Sequence, residues 1–151
     1  MKTRSLLVVL LTLFSVSARA QNFDEISIRQ MVDKAPEQQL VVEASRMMQE
    51  NYYYFSEIAV DKLLTFQPNS SNYHYRKGYI QLYSASNFDD AIKHLEIAAQ
   101  KVNNNYDMYS HKDTAAPADV YYHLAKAYHW NEQLDKAEEY YNLLISTSSK
   151  N

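Results

Sequence analysis

The side chains able to do acid–base or metal chemistry in this chain are the five histidines, at positions 74, 94, 111, 123 and 129, and the paired carboxylates Asp89/Asp90 and Glu138/Glu139. His123 and His129 stand six apart, which sets them on different faces of one helix rather than at the i, i+4 spacing of a helical zinc pair. His74, His94 and His111 fall in other segments, and no cysteine exists to complete a ligand set. The acidic pairs lie where solvated helix faces and first turns ordinarily carry acids. A glycine-rich phosphate loop, GxSxG and HExxH are all absent from the sequence. These patterns point away from an enzyme, and no metal or cofactor is expected. The unusual resource is tyrosine, of which there are 14.

Tyrosines need elements to position them, and the stretch ADVYYHLAKAYHWNEQLDKAEEYYNLL, Ala118 to Leu144, supplies the clearest pattern. Counted from Ala118, Tyr121, Leu124, Ala125 and Tyr128 fall at 4, 7, 8 and 11, one face of a helix. A polar turn over Asn131–Leu134 follows, then Ala137, Tyr141 and Leu144 at 20, 24 and 27. Alanines alternate with large residues where two helices must approach closely. The pattern resembles the tetratricopeptide repeat, a helix–turn–helix of about 34 residues.

Laid back from Pro68, the same template begins at Glu37. Leu40, Ala44 and Met47 then occupy 4, 8 and 11, and Ser56, Val60 and Leu63 occupy 20, 24 and 27, with Glu43 departing from the pattern at 7. Between these two copies, SSNYHYRKGYIQLYSASNFDDAIKHLEIAAQ carries a third whose register stays open. Gly78 suits position 8 and Ala91 position 20, which puts one extra residue in YSASN, whereas Tyr75, Tyr79 and Leu82 favour a shift of the first helix by one. The fold expected is all-α: a leading helix within 21–36, and repeats over 37–70, 71–102 and 118–151. Residues 103–117 form a polar loop before a fresh helix start after Pro117. One glycine and three prolines in the whole chain fit helices better than hairpins.

The N-terminus, MKTRSLLVVLLTLFSVSARAQ, has a basic start, a short apolar run from Leu6 to Val16 and a small-x-small site at Ala18–Ala20. It reads as a secretory signal over 1–20, because a bilayer span needs roughly 20 apolar residues. Losing Lys2, Arg4 and Arg19 with the leader takes three positive charges from a formal net of −3, giving −6. That acidity argues against nucleic acid or anionic membrane as partner, and no direct membrane insertion is expected. Without cysteine, an exported chain must rely on its core rather than on disulfides.

The succession KLLTFQPNSSNYHYRKGY, AIKHLEIAAQKV and AAPADVYYHLAKAYHWNEQLDKA, behind an Ala-Gln junction, is similar to the N-terminal repeat region of Bacteroidetes-type OmpA-family envelope proteins. In those proteins the repeats precede a β-propeller-like segment and a peptidoglycan-binding domain, and some serve type IX secretion or gliding. The resemblance implies an exported, periplasmic and outer-membrane-associated protein. The chain ends at Asn151, inside the third repeat, so peptidoglycan binding transfers to no residue here, and a fragment of a longer protein or a short relative are both open readings.

Stacked helical pairs present their first helices on a surface used for binding. In the third repeat Tyr122, Lys126, His129 and Trp130 are expected on it. In the second, Tyr75, Tyr79 and Tyr83 are expected under the glycine-anchored register, and Tyr83 under either. Such a face suits an extended peptide or a partner protein. The function expected is a non-enzymatic interaction scaffold of the envelope. The alternative is a structural module that orients other domains of a peptidoglycan-anchored protein. Tyr140 and Leu143 are expected to leave apolar surface on the last repeat and so to favour self-association.

Overall fold

The computed structural model describes residues 24–85 and 87–148, and the leader expected over residues 1–20 lies outside them. The described chain is mostly helical. Seven helices follow one another: α1 (Glu25–Lys34), α2 (Glu37–Gln49), α3 (Tyr53–Phe66), α4 (Ser71–Tyr83), α5 (Phe88–Ala98), α6 (Val120–Trp130) and α7 (Leu134–Ser148). Two short strands, β1 (Val102–Asn103) and β2 (Ala116–Pro117), pair in parallel between α5 and α6. The polar loop expected over 103–117 is therefore not plain: the last helix of the repeat expected over 71–102 stops at Ala98, and the two ends of the connection are stapled together.

Local chemistry sets the helix starts. Asp24, Ser70 and Asn87 have extended backbone, and their side chains accept from the N–H groups of Ile26, Tyr73 and Asp90. The turns inside the first and third pairs repeat one another. Asn51 and Glu132 both take positive φ, 62° and 60°. Each is followed by an N–H that reaches back five residues, Tyr52 to the Met47 carbonyl at 2.8 Å and Gln133 to the Tyr128 carbonyl at 2.9 Å. This left-handed closure satisfies carbonyls that a helix end would leave open. The middle pair turns through Ala85, φ 51°, and its helices stand one residue further apart in the chain than those of the other two pairs.

Apolar residues at helical spacing form two packed clusters that meet on α4. One collects Ile28, Val32, Leu40, Val41, Ala44, Val60 and Leu63 with Tyr73 and Ile80 of α4. The other collects Ala91, Leu95, Leu124, Ala127, Tyr128 and Ala137 with Tyr75 and Leu82 of α4. The small residues Ala44, Ser56, Ala91, Ala125 and Ala137 are all buried at helix contacts, and the Ser56 hydroxyl donates to the Ala44 carbonyl at 3.0 Å. On α7, Tyr140 stacks on Tyr128 with centroids 5.6 Å apart, so it is not the open surface expected of it. Leu143 is exposed as expected, at 37%, and Leu134 and Ile145 are more exposed still, at 60% and 66%.

Gly78 shows how tight the middle pair is. A Cβ added there would lie 2.6 Å from Leu95 Cγ and 3.0 Å from the Ala91 carbonyl oxygen. Exchanging a helical glycine for alanine ordinarily gains about 1 kcal/mol of propensity, but overpacking a buried contact costs roughly 1–3 kcal/mol. Leu95 is fully buried and cannot swing away, so the clash wins. Gly78→Ala is expected to lower stability by about 1–2 kcal/mol in urea denaturation; a stabilised variant would contradict the packing.

Candidate functional site

Two stripes of side chains and one further tyrosine converge beside the α4–α6 contact. On α4, Tyr75, Tyr79 and Tyr83 recur every four residues, as do Tyr122, Lys126 and Trp130 on α6. The start of α3 adds Tyr53, whose ring lies 6.4 Å from that of Tyr79 and 6.5 Å from that of Tyr83. His123 sits in the middle, with ring centroids 5.0 Å from Tyr79, 5.6 Å from Tyr83, 5.8 Å from Tyr75 and 5.3 Å from Tyr122. Edge-to-face geometry dominates these contacts, as ring quadrupoles favour.

Lys126 occupies the mouth of this cluster. Its Nζ lies 4.5 Å from the Trp130 ring centre, 4.6 Å from that of Tyr83 and 5.8 Å from that of Tyr122. It also donates to the Tyr83 hydroxyl at 3.4 Å. Lys126 takes part in none of the ion pairs among the described residues. The cation is therefore held by ring faces and a phenol rather than by a carboxylate.

A chain of polar contacts leads inward. The Tyr83 hydroxyl lies 3.1 Å from His123 Nδ1, and His123 Nε2 lies 3.5 Å from Asp119 Oδ2, which also accepts from the Tyr75 hydroxyl at 3.3 Å. With the Nε2 proton turned toward the carboxylate, Nδ1 is the acceptor and Tyr83 donates to it. Lys126, Tyr83, His123 and Asp119 thus form one connected line of polar groups. Burial, with Tyr122 and Tyr53 nearby, pushes the Tyr83 phenol up to about 12, so at neutral pH it is a neutral hydrogen-bonding group and not a base or nucleophile. Tyr79 is likewise raised to about 12 by burial and by its neighbours Tyr53 and Tyr83. The cluster presents ring faces, the Lys126 ammonium and the neutral hydroxyls of Tyr79 and Tyr83.

The expected residues divide on inspection. Tyr79, Tyr83, Tyr122, Lys126 and Trp130 come together; Trp130 is 43% exposed and Tyr122 39%, while Tyr79, Tyr83 and Lys126 are half-buried. Tyr75 is a correction. It is 7% exposed, because the rings of Tyr79, Tyr106 and His123 pack against it, and its hydroxyl donates to Asp119. His129 is exposed and has no ring contact among the described residues, so it stands outside the cluster. Three further residues belong to the cluster that helical spacing does not place there: His123, Asp119 and Tyr53. Asp119 and His123 are i, i+4 on the same helix start, a pairing visible in the sequence.

The remaining histidines are not as scattered as their positions suggest. His74 of α4 and His94 of α5 stack at 5.0 Å with their Nδ1 atoms 2.7 Å apart, and His74 Nε2 lies 2.8 Å from the Pro68 carbonyl. The carbonyl can only accept, so Nε2–H of His74 donates to it, and a single proton between the two Nδ1 atoms completes the pair. No group of three or more His, Cys, Asp or Glu able to hold a metal occurs among the described residues, nor is any described helix long and apolar enough to cross a membrane.

Comparison with known protein families, with curated proteins and with solved structures finds no match.

Burial, then the neighbouring His74 and Lys77, lowers His94 from 6.5 to about 4, against a weaker opposing pull from Asp90 and Asp61. The unfolded chain therefore binds a proton near pH 6.5 that the folded chain refuses until about pH 4. Stability is thus full above pH 6.5 and falls between those values, by about 1–2 kcal/mol once solvent screening of a half-exposed ring is allowed for. Denaturation at pH 7.5 and 4.5 should show this loss, and His94→Gln should remove most of it; an unchanged pH slope in the variant would contradict the pairing.

Proposed function

We propose that this chain is a non-enzymatic interaction module of the tetratricopeptide type, three helical pairs stacked in series, that binds an extended peptide or partner protein through the open aromatic face of α4 and α6. Several features support the repeat reading. The turns at Asn51 and Glu132 close in the same way, small residues are buried at the helix contacts of all three pairs, and α4 packs into both clusters. The leader-like residues 1–20 favour export, and the resemblance to OmpA-family repeat regions favours a place in an outer-membrane-associated assembly of the envelope.

The observation that carries the binding reading is the state of Lys126 and its rings. Trp130 and Tyr122 keep two-fifths of their surface in water although other rings lie beside them, and the cation among them has no carboxylate partner in the described residues. Exposed Trp and Tyr next to a basic group are the side chains that most often anchor interfaces. Covering them would bury apolar area, while Lys126 would meet an acceptor on the partner.

Selection of extended peptides from a displayed library on the folded chain tests the reading. Peptides that bind wild type should lose about 30-fold or more in affinity with Trp130→Ala, an anchor-sized loss of about 2 kcal/mol. Lys126→Met should cost less and should remove most of the salt dependence. Both variants should keep the helical circular dichroism, since neither side chain belongs to the buried core. Failure to enrich any peptide, or enriched peptides indifferent to Trp130→Ala, would overturn the assignment.

A further inference from the structure

The connection between α5 and α6 does not hang in solvent. Its middle, Asn104 to Thr114, lies across α2 and α4, the first helices of the first two pairs. The Met108 carbonyl accepts from Arg76 Nη2 and lies 2.8 Å from the Ser45 hydroxyl, whose one proton it shares with the Val41 carbonyl at 2.6 Å. The Tyr106 hydroxyl donates to Asn72 Oδ1 at 2.7 Å, and Asn72 Nδ2 and N–H donate to the Asp113 and Thr114 carbonyls at 2.8 and 3.2 Å. Tyr109 donates to Gln49 at 3.0 Å. Ser45, Asn72 and Arg76 are all buried, so these are polar groups built into a wall and directed at main-chain carbonyls of a segment that runs through successive turns. That is how a protein holds a bound peptide.

Arg76 is the unusual member. It is 1% exposed, and its guanidinium stays protonated in a protein. No carboxylate pairs with it among the described residues. Its acceptors are all neutral: Asn72 Oδ1 at 2.9 Å, Ser45 Oγ at 2.7 Å, the Tyr106 hydroxyl at 3.3 Å and the Met108 carbonyl. The acids of the loop point elsewhere, Asp107 accepting from the Tyr109 N–H at 2.9 Å and Asp113 from Asn103 at 3.0 Å. A buried cation with only neutral acceptors leaves unused the stronger, forked interaction a carboxylate would make.

We propose that the face shared by α2 and α4 is a peptide site centred on Arg76, that segment 104–114 is its resident occupant, and that an acidic extended segment is the ligand that exchanges with it. The ligand places a carboxylate where the Met108 carbonyl now lies. The parallel pairing of Val102–Asn103 with Ala116–Pro117 clamps the ends of the loop, so its middle can leave without parting the helices. Tyr109, 44% exposed and held by one hydroxyl contact, is the weakest anchor. This site shares none of the open residues Tyr83, Tyr122, Lys126 and Trp130.

The test uses an acetylated peptide with the sequence of residues 103–108, Asn-Asn-Asn-Tyr-Asp-Met, made once with a free C-terminal carboxylate and once as the carboxamide. Each is titrated into the full chain and into Tyr109→Ala by calorimetry, with amide spectra reporting Ser45 and Asn72. The tethered loop competes at an effective concentration of the order of millimolar, so binding to wild type is weak and the loosened variant should bind several-fold tighter. In both proteins the carboxylate peptide should bind about tenfold more tightly than the carboxamide, and Arg76→Gln should abolish the difference. Equal affinity of the two peptides for Tyr109→Ala, or binding of neither to either protein at millimolar concentration, would overturn the proposal. Because Trp130→Ala leaves this site intact, it should not change either affinity, which separates this result from the fate of the aromatic face.

Discussion

The fold turns on α4, which packs into both clusters and leaves only part of its surface, the aromatic stripe included, in water. Its Tyr73 and Ile80 belong to one packed cluster and its Tyr75 and Leu82 to the other, so the helix is the joint between two halves. Gly78 lets α5 approach closely, Lys77 ties the helix to Glu57 and Asp61 of α3, and Arg76 receives the connecting loop. A helix so enclosed has little freedom to move without disturbing both clusters, which makes it a rigid ruler for the side chains it carries. The aromatic stripe on α4 inherits its order from that enclosure.

Arg76 then decides what the neighbouring surface looks like. A buried guanidinium without acceptors would cost several kcal/mol, so the chain must bring oxygen atoms to it, and the 104–114 segment brings the Met108 carbonyl and the Tyr106 hydroxyl. The surface formed by the first helices is thereby divided. Its α2–α4 part is filled by the molecule's own chain. The part between α4 and α6 stays open and aromatic, with Lys126 at its mouth.

The sequence made the helices legible because burial of a helix face has a period. Leu40, Ala44, Met47, Ser56, Val60 and Leu63, placed by offset alone, are all fully buried. It made the open site partly legible: Tyr83, Tyr122, Lys126 and Trp130 meet, whereas Tyr75 was assigned by the same spacing and lies beneath. Spacing cannot tell which residue of a stripe a neighbouring loop will cover. Arg76 was invisible for a related reason, since Arg76–Lys77 in a helix reads as a solvated edge, and its burial depends on main-chain oxygens that no residue pattern encodes. The His74–His94 contact was legible and overlooked. The two lie ten residues either side of Ser84, near the turn of an antiparallel pair, a spacing that brings them to neighbouring levels of the two helices.

The central claim is that Arg76 is a buried cation held by the loop. The most direct measurement is the nuclear magnetic resonance signal of its guanidinium protons. The account predicts resolved, slowly exchanging Arg76 resonances at neutral pH, with nuclear Overhauser contacts to Tyr106 and Met108. A single averaged signal exchanging as fast as that of a surface arginine, with no contact to the loop, would contradict it.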